Sequence, residues 1–282
     1  MRSQRELDAE FTLDSIRDLD AVLARRKAAA AVADAEFKSV RAIPYGTGPA
    51  ETLHLFLPSP AAASVPVQMF IHGGFWMYMS AAEFSFLARG FVPFGVALAL
   101  IDYPLIPSVR LADIVDSCRR AVAYIHRHGR THGLDPDRIF ISGNSAGGHL
   151  VAELLDRAWT GAAELPADVI KGGAAISGLF DLTPVAASFR NEALQLNAEE
   201  VARFSPLLRR PQIVSDTIVA VGGDETGEFL RQSADFAALA QAAGARVQHI
   251  VVPGTNHITV VLDALADPAA ALNQAVRQRI KG

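Results

Sequence analysis

Cysteine is almost missing from this chain of 282 residues, where Cys118 stands alone. An internal disulfide and any multi-cysteine metal site are thereby excluded. Cys118 falls in the apolar-periodic stretch LADIVDSCRRAVAYI, which predicts a buried core thiol. The chain also lacks an uninterrupted apolar run of about 18 residues, the length a membrane-spanning helix needs. Its first residues, MRSQRELDAEF, are charged where a secretory signal requires an apolar stretch, so a cytoplasmic protein with no membrane partner is expected. Positive charge does not predominate: 26 Lys and Arg stand against 30 Asp and Glu, a net charge of −4, with no long basic run. The electrostatic footprint of a nucleic-acid binder is missing. No H-E-x-x-H motif and no paired His/carboxylate spacing occurs, so no metal site is expected.

What is present is a chain 50% apolar and 20% charged, enough to bury a large core in one domain over 1–282. LDSIRDLDAVLARRKAAAAVADA spaces Ile16, Leu19 and Leu23 on one face and predicts an N-terminal helix over 12–34. Extended segments FKSVRAI and ETLHLFL follow, then the proline-bearing turn PSPAAASVP. From there apolar strands (VQMFI, VALALI, RIFISG, VIKGGAAIS, DTIVAVGG, VQHIVV) alternate with helical segments. Alternation with strands apolar on both faces predicts an α/β fold, a mostly parallel sheet flanked by helices. Residues 182–206 interrupt the rhythm with helical material and two prolines, a candidate lid over the sheet's C-terminal edge.

The motif GNSAG, Gly143 to Gly147, lies between a predicted strand and a predicted helix and fits G-x-S-x-G. Its glycines suit a corner so sharp that the serine takes strained dihedrals and lifts its hydroxyl clear of the sheet. At a helix start, free backbone N–H groups, Ala146 foremost, face any negative charge forming beside Ser145. FIHGGFWMY ends an earlier strand, and its paired glycines offer Gly73, Gly74 and Phe75 as further N–H donors. An acid to orient a histidine is found in VGGDETGEF, where Asp224 comes first after the strand and is favoured over Glu225 and Glu228. His257, after the Pro-Gly turn of VVPGTNHITVV, has the residue type suited to taking a serine proton near neutral pH. Ser145, Asp224 and His257 stand in the chain order Ser, Asp, His of α/β-hydrolases. His72 and His149 flank the two glycine turns, where hydrogen bonds to loop backbone are expected. Phe75, Trp76, Tyr78, Tyr103 and Phe180 lie near the same rim. Those facing a cleft would stack on a planar leaving group and crowd the acyl side.

Together HGGFW, GNSAGGH, ISGLFDLTP, GGDE and NH resemble the α/β-hydrolases of the hormone-sensitive-lipase-like esterase group and, more closely, the kynurenine formamidases, with a match from about Phe37 onward. The resemblance implies an α/β-hydrolase fold and a cofactor-free serine hydrolase with Ser145 as nucleophile, Asp224 as acid and His257 as base. It also implies an oxyanion hole of Gly74, Phe75 and Ala146 supported by Gly73. Asn144 departs from the His or Asp such enzymes usually carry inside the elbow, which bears on subfamily and leaves the triad intact. The implied substrate is a small-molecule aryl formamide, with short-chain or aryl esters as the alternative and a non-catalytic binding protein behind both. Pairing into a homodimer is left open by the sequence.

Overall fold

Among the described residues, 3–59 and 64–281 of a computed structural model, eight strands form one sheet. Residues 60–63 of the anticipated turn PSPAAASVP lie outside them. Helices α1 (Gln4–Ala9) and α2 (Leu19–Glu36) precede β1 (Ser39–Pro44), β2 (Thr52–Phe56) and β3 (Val65–Ile71). A tight helical stretch, Ala81–Leu87, runs into α3 (Ala88–Phe91), followed by β4 (Ala97–Ile101), α4 (Leu111–His128), β5 (Leu134–Asn144) and α5 (Ala146–Leu155). After β6 (Ile170–Ile176) come three short helices, α6 (Thr183–Ala186), α7 (Asn191–Leu194) and α8 (Ala198–Arg203). The chain closes with β7 (Asp216–Gly222), α9 (Gly227–Ala242), β8 (Val247–Val252) and α10 (Ala271–Lys281). The spatial order is β1-β2-β4-β3-β5-β6-β7-β8, with β2 antiparallel to both its neighbours and every later pair parallel. This is the α/β-hydrolase arrangement.

The strands read as unbroken apolar runs because both faces are covered. Side chains alternate across a strand, so Val67, Met69 and Ile71 enter one core while Phe70 enters the other. In β4, Ala97, Ala99 and Ile101 face the first core and Leu98 and Leu100 the second. The first core takes α4, α5 and α9 through Ile114, Leu150 and Phe236, and it buries Cys118 as a free thiol. The second takes α2 and α10 through Ala30, Leu272 and Ile280. Gln68 is the polar exception inside β3, and its amide donates to the Ser142 hydroxyl at 2.7 Å across the neighbouring strand.

The helix expected over 12–34 is bounded differently, as α2, with turns before it. Asp18 takes the left-handed conformation at φ 53°, which stops the helix from extending backwards. The Thr12 hydroxyl accepts from the Asp14 N–H at 3.3 Å, a local turn that competes with helix. Ile16 is buried from this turn rather than from a helix face. The N-terminal segment is laced to the chain around residue 189. Gln4 donates to the Ala187 carbonyl at 2.9 Å, and the Phe189 N–H donates to the Asp8 carboxylate at 2.8 Å. Arg190 donates twice to the Phe11 carbonyl, at 3.0 and 2.9 Å. Residues 187–190 and the N-terminal segment are thus joined to each other.

Candidate active site

Ser145 sits between β5 and α5 with φ 59° and ψ −120°, a conformation L-residues rarely hold. The corner survives because its neighbours have no side chains. A Cβ at Gly147 would lie 2.0 Å from the Ile71 carbonyl oxygen, and one at Gly143 would lie 2.3 Å from that of Gly147. The Ser145 N–H is tied to the Ile176 carbonyl at 2.9 Å. Because Ile71 is backbone of the central sheet and cannot yield, Gly147→Ala should destabilise the fold by more than about 3 kcal/mol. Gly161→Ala, with nothing within 4 Å of the added methyl, is the control. Urea unfolding of both variants measures the difference, and equal midpoints would refute this account of the elbow.

The loop after β3 lies against that corner, since a Cβ on Gly73 would meet the Asn144 carbonyl oxygen at 2.7 Å and the Ser145 Cβ at 3.1 Å. Gly74, Phe75 and Trp76 all have positive φ, at 103°, 49° and 58°. This winds the loop so that the Met77 and Tyr78 N–H groups both donate to the Gly74 carbonyl. Among the described residues, the Gly74, Phe75 and Ala146 N–H groups find no protein acceptor. His72 and Tyr103 brace the loop from behind: the His72 Nδ1–H donates to the Gly73 carbonyl at 2.8 Å, and the Tyr103 hydroxyl donates to the His72 carbonyl at 2.8 Å. Their rings stack at 4.2 Å. Burial holds the His72 imidazole below its usual range. His149, one turn into α5, donates to the Phe204 carbonyl at 2.8 Å, and burial pulls it down to about 4, so it is neutral at physiological pH.

The carboxylate that meets His257 is not the expected one. His257 Nδ1 donates to Glu225 Oε2 at 2.6 Å, while Asp224, singled out from the sequence, is exposed. The turn after β7 explains the exchange. Backbone N–H groups of Gly223 and Asp224 go to the Val252 and Thr255 carbonyls, extending the pairing with β8 past the strand end. Asp224 then points outward and the next side chain folds in. Glu225 Oε1 accepts from the Gly222 N–H at 2.7 Å and the Ser177 hydroxyl at 2.5 Å, and its carboxylate is fully buried. Three donors meet this buried carboxylate, and the bond to Oε2 places the proton of a neutral His257 ring on Nδ1 and leaves Nε2 as its acceptor.

Ser145 and His257 line one cavity of about 270 Å³, together with Gly74 and Asn144. Of the aromatic residues placed at the rim by sequence, Phe75 and Tyr78 line it, the latter 55% exposed. Trp76, Tyr103 and Phe180 do not. Trp76 is buried edge-on to His149, Tyr103 is the brace behind His72, and Phe180 stacks on Phe236 at 4.1 Å in the core. Burial of large rings stabilises the core, and at these three positions it outweighs contact with a ligand. The remaining wall comes from residues the sequence did not place at the site: Met79, Phe84, Phe86, Ile258 and Val261 from the body, Leu13, Leu23 and Arg26 from the N-terminal segment, and Arg190 from the candidate lid. No cluster of three or more His, Cys, Asp or Glu among the described residues has the geometry of a metal site. No helix among them is long and apolar enough to cross a membrane.

A protein-family model described as BD-FAE matches residues 53–158. A kynurenine formamidase of Salmo salar is 32% identical over 226 residues, which cover 78% of this chain and 74% of that protein. An isoprenylcysteine alpha-carbonyl methylesterase of Arabidopsis thaliana is 26% identical over 79% of this chain and 57% of its own length. A crystal structure from Silicibacter sp., provisionally assigned as a thioesterase, matches with a TM-score of 0.83 and 29% identity over 96% of this chain and 99% of that one.

Proposed function

The chain belongs to the kynurenine formamidase family and is a hydrolase, and from that premise we propose that it releases a small acyl group from an aryl formamide through an acyl-enzyme on Ser145. The observation that carries this reading is the buried Glu225 carboxylate on a partly buried His257, which lines the same cavity as a strained, glycine-flanked serine. His257 Nε2 takes the hydroxyl proton as Ser145 Oγ attacks the carbonyl carbon. The oxyanion is met by the N–H groups of Gly74, Phe75 and Ala146. Collapse of the intermediate breaks the C–N bond, and His257 returns the proton to the departing amine. Water, deprotonated by the same imidazole, then attacks the acyl-enzyme and frees the acid, with Oγ reprotonated. Every proton in the cycle is carried by His257 or water, and no cofactor enters.

Cavity size supports a small acyl group, for about 270 Å³ lies at or below the lower end of ligand pockets, roughly 300–1,000 Å³. Formyl or acetyl derivatives of anilines and phenols are expected to exceed octanoyl p-nitrophenyl ester by at least about tenfold in kcat/KM, roughly 1.4 kcal/mol in transition-state binding. A screen of N-formylkynurenine, other aryl formamides, short aryl esters and long-chain esters measures this. Preference for the octanoyl ester would overturn the formamidase reading. The second reading, a carboxylesterase on short or aryl esters, draws on the methylesterase relative and on an acyl-transfer geometry that serves an alkoxide as well as an amine. Turnover of aryl esters with none of formamides would favour it.

A further inference from the structure

Two cations line the catalytic cavity, Arg26 and Arg190, and no carboxylate lines it with them. They are not equivalent. Arg26 is neutralised by Glu83 at 2.9 Å. Arg190 makes no ion pair among the described residues. Its Nε and one terminal nitrogen are both spent on the Phe11 carbonyl, an uncharged acceptor. Its guanidinium lies between two rings, 4.5 Å from the centroid of Phe75 and 4.6 Å from that of Phe189. Asp14 and the Tyr78 hydroxyl act on it only at longer range, and burial outweighs them, holding its pKa below the usual arginine range. A half-buried guanidinium held on two aromatic faces, with no carboxylate in contact with it among the described residues and a catalytic cavity beside it, is a site prepared for an anion.

We propose that Arg190 is the specificity-determining residue of this site and anchors a carboxylate on the leaving-group side of the substrate. The anchor presumes the hydrolase reading above and adds to it that the scissile aryl amide or ester belongs to an anionic molecule. Phe75 joins the two halves of the site, since it carries a proposed oxyanion N–H and supports the guanidinium with its ring. A carboxylate on Arg190 therefore holds the leaving group in a fixed relation to the Ser145 hydroxyl, which is how remote binding energy orients a reacting centre. Sequence reasoning had no means of finding this residue, for a lone arginine in SFRNEA reads as a solvated helix face.

The test compares 4-acetoxybenzoate with its neutral isostere 4-acetoxybenzamide, each rate corrected for hydroxide hydrolysis. The wild type should favour the anion by at least about tenfold in kcat/KM, and the preference should shrink as salt is raised. Arg190→Gln, which keeps an N–H for the Phe11 carbonyl while removing the charge, should raise KM for the anion about tenfold or more. Its kcat/KM for the amide should change less than about threefold, and Arg190→Lys should recover part of the loss. Equal loss on both substrates, or no preference in the wild type, would overturn the anchor and show Arg190 as a strap for the N-terminal segment. Calorimetric titration with benzoate and benzamide needs no turnover and separates the two proposals. If neither ester is hydrolysed but benzoate binds wild type and not Arg190→Gln, the anchor stands and the proposed acyl transfer from aryl amides and esters falls. Benzoate binding no tighter than benzamide overturns the anchor whatever the kinetics show.

Discussion

Ser145→Ala is expected to leave the protein folded and to lower kcat by roughly three to six orders of magnitude, because members of a nucleophile–base–acid set act as a unit. Folding should survive because the strained corner rests on Gly143, Gly147 and the Ser145 backbone bond to Ile176, none of which the hydroxyl supports. The Ser145 side chain does not cap α5, so its loss leaves no helix N–H without an acceptor. A fluorophosphonate should label the wild type once per chain and the variant not at all. Both measurements also decide against a hydrolase-fold binding protein, which would need the cavity but not a nucleophile. More than a few per cent residual activity in the variant, or an unlabelled wild type, would sink the acyl-enzyme mechanism.

How far the sequence reached follows from what each inference depended on. Helix α4 was legible because the apolar period of LADIVDSCRRAVAYI marks one buried face from Leu111 to Ile125. Strands β3 and β4 were legible because a sheet covered on both faces demands the apolar runs they carry. Ser145 and the turn Gly73–Gly74 could be found because glycine requirements are local: the atoms that would clash are neighbours across one β-strand pair. Three features were beyond reach for one reason, that they depend on which way a side chain points once distant segments meet. Trp76, Tyr103 and Phe180 are aromatic residues near the rim by sequence, yet their rings turn into the core. Leu13, Leu23 and Arg190 enter the cavity from segments about 167 to 177 residues apart along the chain, as read from their numbers. In GGDE, two acids stand side by side, and the pairing of Gly223 and Asp224 with the turn after β8 decides between them.

That choice carries the second large prediction. Glu225→Gln should lower kcat/KM by roughly two to four orders of magnitude, while Asp224→Asn should stay within about twofold of the wild type. Glutamine has the size of glutamate, so the effect isolates hydrogen-bond polarity. In the native site both carboxylate oxygens accept, Oε1 from the Gly222 N–H and the Ser177 hydroxyl and Oε2 from His257 Nδ1. An amide offers one acceptor and two donors. If its oxygen keeps the Gly222 and Ser177 bonds, its NH2 faces His257 and favours the tautomer with Nδ1 bare and Nε2 protonated. The imidazole then holds a proton where it must take one. If the amide turns over to accept from His257, its NH2 confronts the Gly222 N–H, which cannot reorient, inside a pocket with no exposed carboxylate surface. Either placement removes the base or leaves buried donors opposed, and the anionic charge that would stabilise an imidazolium is lost in both. Asp224 is exposed and uses only its backbone N–H, which asparagine retains. Steady-state kinetics on one short aryl ester, with thermal unfolding to show that both variants are folded, gives the comparison. A severe loss in Asp224→Asn with a mild one in Glu225→Gln would reverse the assignment.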